Sequence, residues 1–597
     1  MKTMTNQSGV TDLPPERSAR VVEEFEQPRY SRRDTLLTMF GVLMVMLLGS
    51  LDQTIVATAL PHVIADLHGF DRYTWVSTAY LLASTVTVPI YGKLSDLFGR
   101  KPIFLFGIVL FLVGSALSGA SQSMNQLIAF RAFQGLGTGA LTPIAIAVVG
   151  DLFTPRERGK WQGVTGAVFG LSAIIGPTLG GWITQYSSWR WVFYVNLPVG
   201  ILALLVLIFL MPTLRGKVQK VSIDYIGAAL LVAGTVPLLL GFTFAGSQYA
   251  WLSPQTIGLL AGSVVMGVAF VIYEAWLERR DGQPIIAPSL FKHSIFAVST
   301  LVTFIFGMGL FGAVFFIPLY VQGVVGSSAT NSGLVLTPLT LTLVVGSVVS
   351  GQLVSRLGRY KWLAIIGMLA SVGGTLLLLR LDVNSDNTGV LLALLVFGLG
   401  MGFGMSLYTL IVQNAIPNKI GQATAALTFF RSIGGTIALA AMGSVMNSAY
   451  LPAFNNALPP AIKQLATAQP RVAQLLGIFH NPQVLLQPDS EAQLLTQATH
   501  QGSAAVMMFN QVIESVKVGL SAGIHDVFLM IMVIMVVGTI AVLFLKEIPL
   551  RGGRQKATET PGEETPKAES NLPDMGVTAM FGAKHTLSGL REARGDD

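Results

Sequence analysis

The chain is 597 residues long, 52% hydrophobic and only 12% charged, with a mean hydropathy of +0.62. A soluble protein carries about twice that charged share, so most of this sequence is read as lying in a lipid bilayer. The net charge of +7 belongs to loops facing an anionic leaflet and is not read as nucleic-acid affinity. Zero cysteines exclude disulfides, thiol catalysis and Cys-ligated metal. No window matches a Walker phosphate loop, because Thr154 stands where Gly159 and Lys160 would need an upstream glycine. No ATP, cofactor or metal is called for, and no enzymatic activity is expected.

In chain order, residues 1–33 are polar, carry Pro14, Pro15 and mixed charge, and read as a cytosolic disordered tail without the apolar core of a cleavable signal. Fourteen apolar runs of about 20 residues then reach spanning length. They lie at 35–60, 73–91, 103–120, 125–148, 161–184, 190–212, 224–245, 254–276, 294–321, 329–353, 361–380, 390–414, 422–447 and 524–545. Basic residues fall on alternate connections: Arg32 and Arg33; Lys93, Arg100 and Lys101; Arg156, Arg158 and Lys160; Arg215, Lys217 and Lys220; Arg279, Arg280 and Lys292; Arg356, Arg359 and Lys361. The intervening short loops hold little beyond Arg72, Arg190 and Arg380. The positive-inside rule therefore puts both termini in the cytosol of a multi-pass protein of the cytoplasmic membrane.

An internal repeat organises the spans. Gly351, Leu353, Gly358 and Arg359 reproduce the spacing of Gly92, Leu94, Gly99 and Arg100, and Gly398, Gly400 and Gly402 with Pro417 and Gly421 echo Gly135, Gly137 and Gly139 with Pro155 and Gly159. The offset of about 260 residues is longer than six spans need, so the seventh and eighth spans read as an insertion. The predicted fold is an all-α integral membrane fold of two pseudo-symmetric six-helix bundles, over 34–215 and 294–546, with two inserted transmembrane helices and a linker over 216–293. The second bundle includes an extracellular segment at 448–523, and residues 547–597 form another cytosolic disordered tail. Paired bundles meeting at a central site are the design of secondary transporters. The copies differ where it matters, since Ser355 stands in place of Asp96.

Several segments carry chemistry. Gly92 to Pro102, GKLSDLFGRKP, packs charge and two glycines into a tight cytoplasmic turn. Gly99 suits a positive φ where one helix stops, Pro102 opens the next, and Asp96 accepts hydrogen bonds from Arg100 or from a helix N-terminus. A basic anchor would need only Lys93, Arg100 and Lys101 and would leave Asp96 and both glycines unexplained. Asp52 is the only acid inside the first span. A carboxylate there costs about 3 kcal/mol even on insertion scales, and burial favours its protonated form, which makes it a proton-carrier candidate. The alternative is a carboxylate that only hydrogen-bonds a neighbouring helix. Counting 1.5 Å per residue, Arg131 lies about 9 Å below the outer end of the fourth span and Asp52 about 14 Å below that of the first. The two charges thus sit at similar depth, where each offsets the other's burial.

The fifth span holds Gly166, Gly170, Gly176, Pro177, Gly180 and Gly181, a pattern for close backbone approach with a bend at the proline. The ninth offers Phe311, Phe315, Phe316 and Tyr320, and later spans add Tyr408, Phe429, Phe430 and Arg431. Such aromatics line a cavity for flat lipophilic cations, or else they face lipid and core. Arg431, at mid-membrane, needs a partner or water and is read as a cavity contact. In the external segment, Val506, Phe509, Ile513, Val516 and Leu520 fall on one face of a helix that either lids the outer mouth or docks on the bundle.

The stretches GKLSDLFGRKP, LDQTIVATALP from Leu51, RAFQGLGTGAL from Arg131 and GLSAIIGPTLGG from Gly170 resemble, in that family's order, signatures of the major facilitator superfamily and its fourteen-helix drug:proton antiporters. The resemblance implies a conformational latch at Gly92, Asp96, Gly99, Arg100 and Lys101, and proton coupling through Asp52 and Arg131. It also implies an antiporter motif at Gly170, Gly176, Pro177, Gly180 and Gly181. Gln53, Gln134, Phe311, Phe315, Tyr320, Tyr408, Phe430 and Arg431 are candidates for the substrate cavity. The expected function is export of lipophilic small molecules, cations among them, in exchange for protons, by a monomer in the bilayer. An exporter of a lipid or metabolite would share every motif, and a non-transporting receptor would share the fold.

Overall fold

The computed structural model describes residues 31–67, 73–212, 222–246, 248–325, 329–382, 385, 387–479, 495–496, 498–500 and 502–549. The tails expected at 1–33 and 547–597 lie almost wholly outside the described residues, as do Arg72, Arg215, Lys217 and Lys220. With no water in a bilayer core, backbone N–H and C=O groups must be satisfied within each segment, and apolar runs of this length therefore become helices. Each of the fourteen runs has its helix. They are α1 (Arg32–Leu67), α2 (Tyr73–Phe98), α3 (Arg100–Gly119), α4 (Met124–Leu152), α5 (Pro155–Tyr186) and α6 (Trp191–Leu210). Next come α7 (Tyr225–Phe244), α8 (Pro254–Arg279), α9 (Ser294–Gly323), α10 (Ala329–Leu357) and α11 (Lys361–Leu378). Last are α12 (Asn387–Ala415), α13 (Ile420–Ala457) and α14 (Ser503–Leu543). Thirteen are long and apolar enough to cross a membrane by length and composition alone. The fourteenth, α2, is diluted by Ser, Thr, Lys and Asp.

Helix ends follow local chemistry. Ser123 caps α4 by accepting from Gln126 N at 3.3 Å, and Asp224 caps α7 by accepting from Gly227 N at 2.7 Å. Thr154 and Glu157 form a capping box at the start of α5, with Pro155 in the first turn. Between α2 and α3 there is a single residue, Gly99, at φ 94°; a side chain there would be strained, so only glycine turns the chain this sharply. Lys101 donates to Ile208 O at 2.7 Å and Met211 O at 2.8 Å, placing a cation on the carbonyl end of α6.

The buried side chains divide as the repeat does. One cluster runs through α1 to α6, from Met39 to Met211, and another through α9 to α14, from Ile295 to Leu545. The inserted helices α7 and α8 pack on each other. Val88, Leu231, Leu239, Phe270 and Phe429 join them to α2 and α13.

The external segment departs from the expected layout. α13 has 38 residues, about 57 Å at 1.5 Å per residue against a hydrocarbon core of about 30 Å, so it projects well beyond any bilayer. The helix expected around 506–520 is not a separate element but the first half of α14, continuous with the last span. Val512, Val516 and Leu520 are buried, while Phe509 and Ile513 pack partly buried on the same core. Among the described residues this segment docks on the C-terminal bundle; its middle, 480–494, lies outside them.

Candidate functional site

Asp52 on α1 is wholly buried, yet each of its carboxylate oxygens has a donor. Oδ2 accepts from Arg131 Nη1 at 2.7 Å, and Oδ1 accepts from Gln134 Nε2 and Asn196 Nδ2, both at 2.9 Å. Arg131 also donates to Gln134 Oε1 at 2.9 Å, and its guanidinium lies 4.0 Å from the centroid of the Tyr80 ring. Asn196 reaches on to Ser115 Oγ at 3.0 Å. One carboxylate thus ties α1 to α4 and α6, and α3 through Ser115. Removing either member of such a buried pair costs about 3–5 kcal/mol, because the other charge is stranded. Sequence reasoning brought Asp52 and Arg131 to the same depth but missed Asn196, Tyr80 and Ser115. The signal for Asn196 was a lone amide in an otherwise apolar sixth span.

A second cluster sits at the end of the bundle that carries the basic loops. Asp96 makes both of its expected contacts at once: Oδ1 pairs with Arg100 Nη1 at 2.5 Å, and the carboxylate accepts from the backbone N–H of Gly421 at 3.2 Å and of Gln422 at 2.8 Å. Those two amides open α13, so an acid of the first half caps a helix of the second. Arg100 is held in turn by Asp151 at 2.7 Å and Ser95 Oγ at 2.7 Å. Asp151 was not foreseen, and its counterpart in the repeat is Gln413, which donates across the halves to Ile146 O at 3.2 Å.

The glycines of the repeat explain how close the halves come. A Cβ on Gly92 would overlap Ala425, and one on Gly159 would overlap the carbonyl of Gly351. Gly421 is the repeat counterpart of Gly159, and Gly351 that of Gly92. The four repeat positions therefore form two symmetry-related seams, α2 on α13 and α5 on α10. The second seam continues through Gly163, Gly166 and Gly170, the last against Val344, whereas Gly181 near the far end of α5 faces open space. Gly176 packs on Thr54 of its own half. Gly180 O accepts from Thr184 Oγ1 at 2.9 Å, and the Pro177 side chain lies outside the described residues.

Two cavities receive some of the remaining candidates. Tyr408 and Arg431 line a central cavity between the halves, of about 20 Å³. Phe311 and Phe315, stacked at 6.3 Å, line a larger one of about 310 Å³ between α2, α7, α9 and α13. The others line neither of these two cavities. Tyr320 is in the C-terminal core with its hydroxyl on Asp382 O at 2.7 Å. Phe430 packs on Phe291 of the linker before α9, Gln134 holds Asp52, and Gln53 is exposed. Helical periodicity alone could not separate faces on spans whose whole circumference is apolar.

Paired six-helix bundles meeting on glycine seams, with a buried charge pair inside one of them, have the architecture of a membrane transporter. The chain belongs to the Major Facilitator Superfamily, whose sequence profile matches residues 42–439. Among its curated relatives, Multidrug transporter protein MdtP of Bacillus subtilis (strain 168) is 39% identical over 534 residues, spanning 88% of this chain and 95% of that protein. Multidrug resistance protein 3 of the same organism is 37% identical over 513 residues, with 86% and 95% covered. Two solved structures share the fold. They are the human organic anion transporter MFSD10 (TETRAN), with TM-score 0.51, 16% identity and 85% and 100% covered, and the proton:xylose symporter XylE, with TM-score 0.52, 14% identity and 87% and 98% covered.

Proposed function

We propose that this chain is a proton-driven exporter of lipophilic small molecules across the cytoplasmic membrane, working by alternating access with both termini in the cytosol. The observation that carries the reading is the buried Asp52–Arg131 pair at 2.7 Å. A dehydrated carboxylate facing a fixed cation and two amides is a group whose protonation rewires three helices at once. When Asp52 takes a proton, the ion pair and the charge-assisted bonds from Gln134 and Asn196 weaken together. The N-terminal bundle then relaxes relative to the seams that hold the halves. Positive-inside orientation makes the latched end cytosolic, so the conformation described is closed toward the cytosol. The multidrug relatives support export as the direction of transport.

The test is Asp52→Asn, which keeps the shape and removes the titratable charge. In proteoliposomes with an imposed pH gradient, the variant is expected to lose uphill substrate movement while remaining inserted and monodisperse. Full gradient-driven transport by that variant would sink the assignment of Asp52.

A further inference from the structure

The central cavity has a chemistry that the exporter reading does not use. Arg431 of α13 lines it, partly buried, and makes no ion pair or hydrogen bond among the described residues. No Asp or Glu lines the cavity. Three further polar groups on its wall are more than nine-tenths buried and lack partners: Gln162 Nε2 from α5, Thr303 Oγ1 from α9 and Tyr408 Oη from α12. The Gln162 carbonyl oxygen is engaged by Thr165, which leaves its amide nitrogen as a pure donor. The guanidinium is also donor-only, and the two hydroxyls are free to donate.

Buried donors without acceptors are costly and rare, and here three of them and a partly buried cation line one cavity from four helices. A cavity of about 20 Å³ holds about one water, which offers too few lone pairs for this set. The missing partner is an acceptor, and the unbalanced charge makes it an anion. A planar guanidinium matches the two oxygens of a carboxylate or sulfonate, and Phe169 and Phe306 on the same wall fit a flat body attached to it. Because the wall is shared between α5 of one half and α9, α12 and α13 of the other, parting of the halves widens it.

We propose that this cavity binds the acidic head of an aromatic oxyanion, with Arg431 as counter-charge and Gln162, Thr303 and Tyr408 as neutral donors. The substrate class is then lipophilic anions in place of the cations expected from the aromatic stripe. Translocation of the bound anion rests on the exporter reading, whereas binding is tested by itself. Calorimetric titration of the detergent-purified full chain with naphthalene-2-sulfonate, an anion at every working pH, is compared with its neutral isostere naphthalene-2-sulfonamide and with tetraphenylphosphonium. The sulfonate is expected to bind more tightly than either. Arg431→Gln is expected to weaken the sulfonate relative to the sulfonamide by about tenfold or more, the scale of one charge-assisted contact. Should that variant fail to fold, Tyr408→Phe and Thr303→Val each remove one donor and are expected to weaken sulfonate binding by a few-fold. Equal affinities for sulfonate and sulfonamide, or a sulfonate Kd untouched in all the folded variants, would overturn the proposal. Sulfonate binding without gradient-driven transport would instead leave the site standing and remove the exporter reading.

Discussion

Asp52 and Arg131 come from different helices and meet with side chains 0% and 2% exposed, a burial neither charge could bear alone. Two consequences separate stability from coupling. Asp52→Asn strands the guanidinium, which only the Tyr80 ring and neutral groups then face, so unfolding stability is expected to fall by about 3 kcal/mol. The double variant Asp52→Asn/Arg131→Gln should regain much of that loss, measured as the thermal midpoint of the solubilised protein, while remaining uncoupled. A double variant no more stable than the single one would mean the pair is not the source of the cost. Arg131→Ala tests coupling as well as stability. Without the cation the carboxylate loses the partner that links α1 to α4, and gradient-driven transport should fall while substrate binding persists. Gradient-driven transport at the parent's rate would separate Arg131 from coupling.

At the level of elements, the turn between α2 and α3 does more than anchor the chain. Asp96 accepts from two amides in the first turn of α13, and those contacts exist only while the halves are together at this end. Losing them is worth about 1–2 kcal/mol, or about a five- to thirtyfold shift between access states. In Asp96→Asn carrying one reporter cysteine at Thr165, maleimide labelling from the basic side is therefore expected to rise by that factor, with no native cysteine to confuse the signal. Ser355→Ala should change labelling less than twofold, because the second copy of the turn carries no acid. Equal labelling of Asp96→Asn and its parent would reduce the turn to a connector. The asymmetry extends to Gln413 opposite Asp151: the acids are concentrated on one seam, and the other closes on Gly159 and Gly351 backbones with Ser347 and Val344 packed on the glycines of α5.

For the whole molecule, two bundles joined at one end need an external energy source to rock. Proton entry down about 100 mV releases about 2.3 kcal/mol, and one pH unit adds about 1.4. At one proton per neutral molecule, the roughly 3.7 kcal/mol supports a gradient of several hundred-fold. Proteoliposomes under both gradients, with no nucleotide present, should reach that order of accumulation for a neutral lipophile. A protonophore should collapse it within the assay. Accumulation that survives the protonophore would point to another driving ion.

The fourteen helices, the paired halves and the inserted α7 and α8 were legible in the sequence. A bilayer forces every long apolar run into a helix, and the repeat of Gly92 and Gly159 at Gly351 and Gly421 reports two copies of one bundle. Asp52 and Arg131 were also legible as singular charges, since a charge in an apolar run is expensive and therefore conspicuous, and Asp96 as the one acid in a basic turn. Partnership was decided by the tertiary structure alone. Asn196 and Asp151 became visible as partners only when α6 and α4 were set against Asp52 and Arg100. The faces of α9 and α13, apolar all round, gave no sign that Tyr320 and Phe430 turn into packing while Arg431 lines the cavity. Backbone physics acts within a segment and can be read from it, whereas the pairing of buried polar groups depends on distances that exist only after the helices have packed.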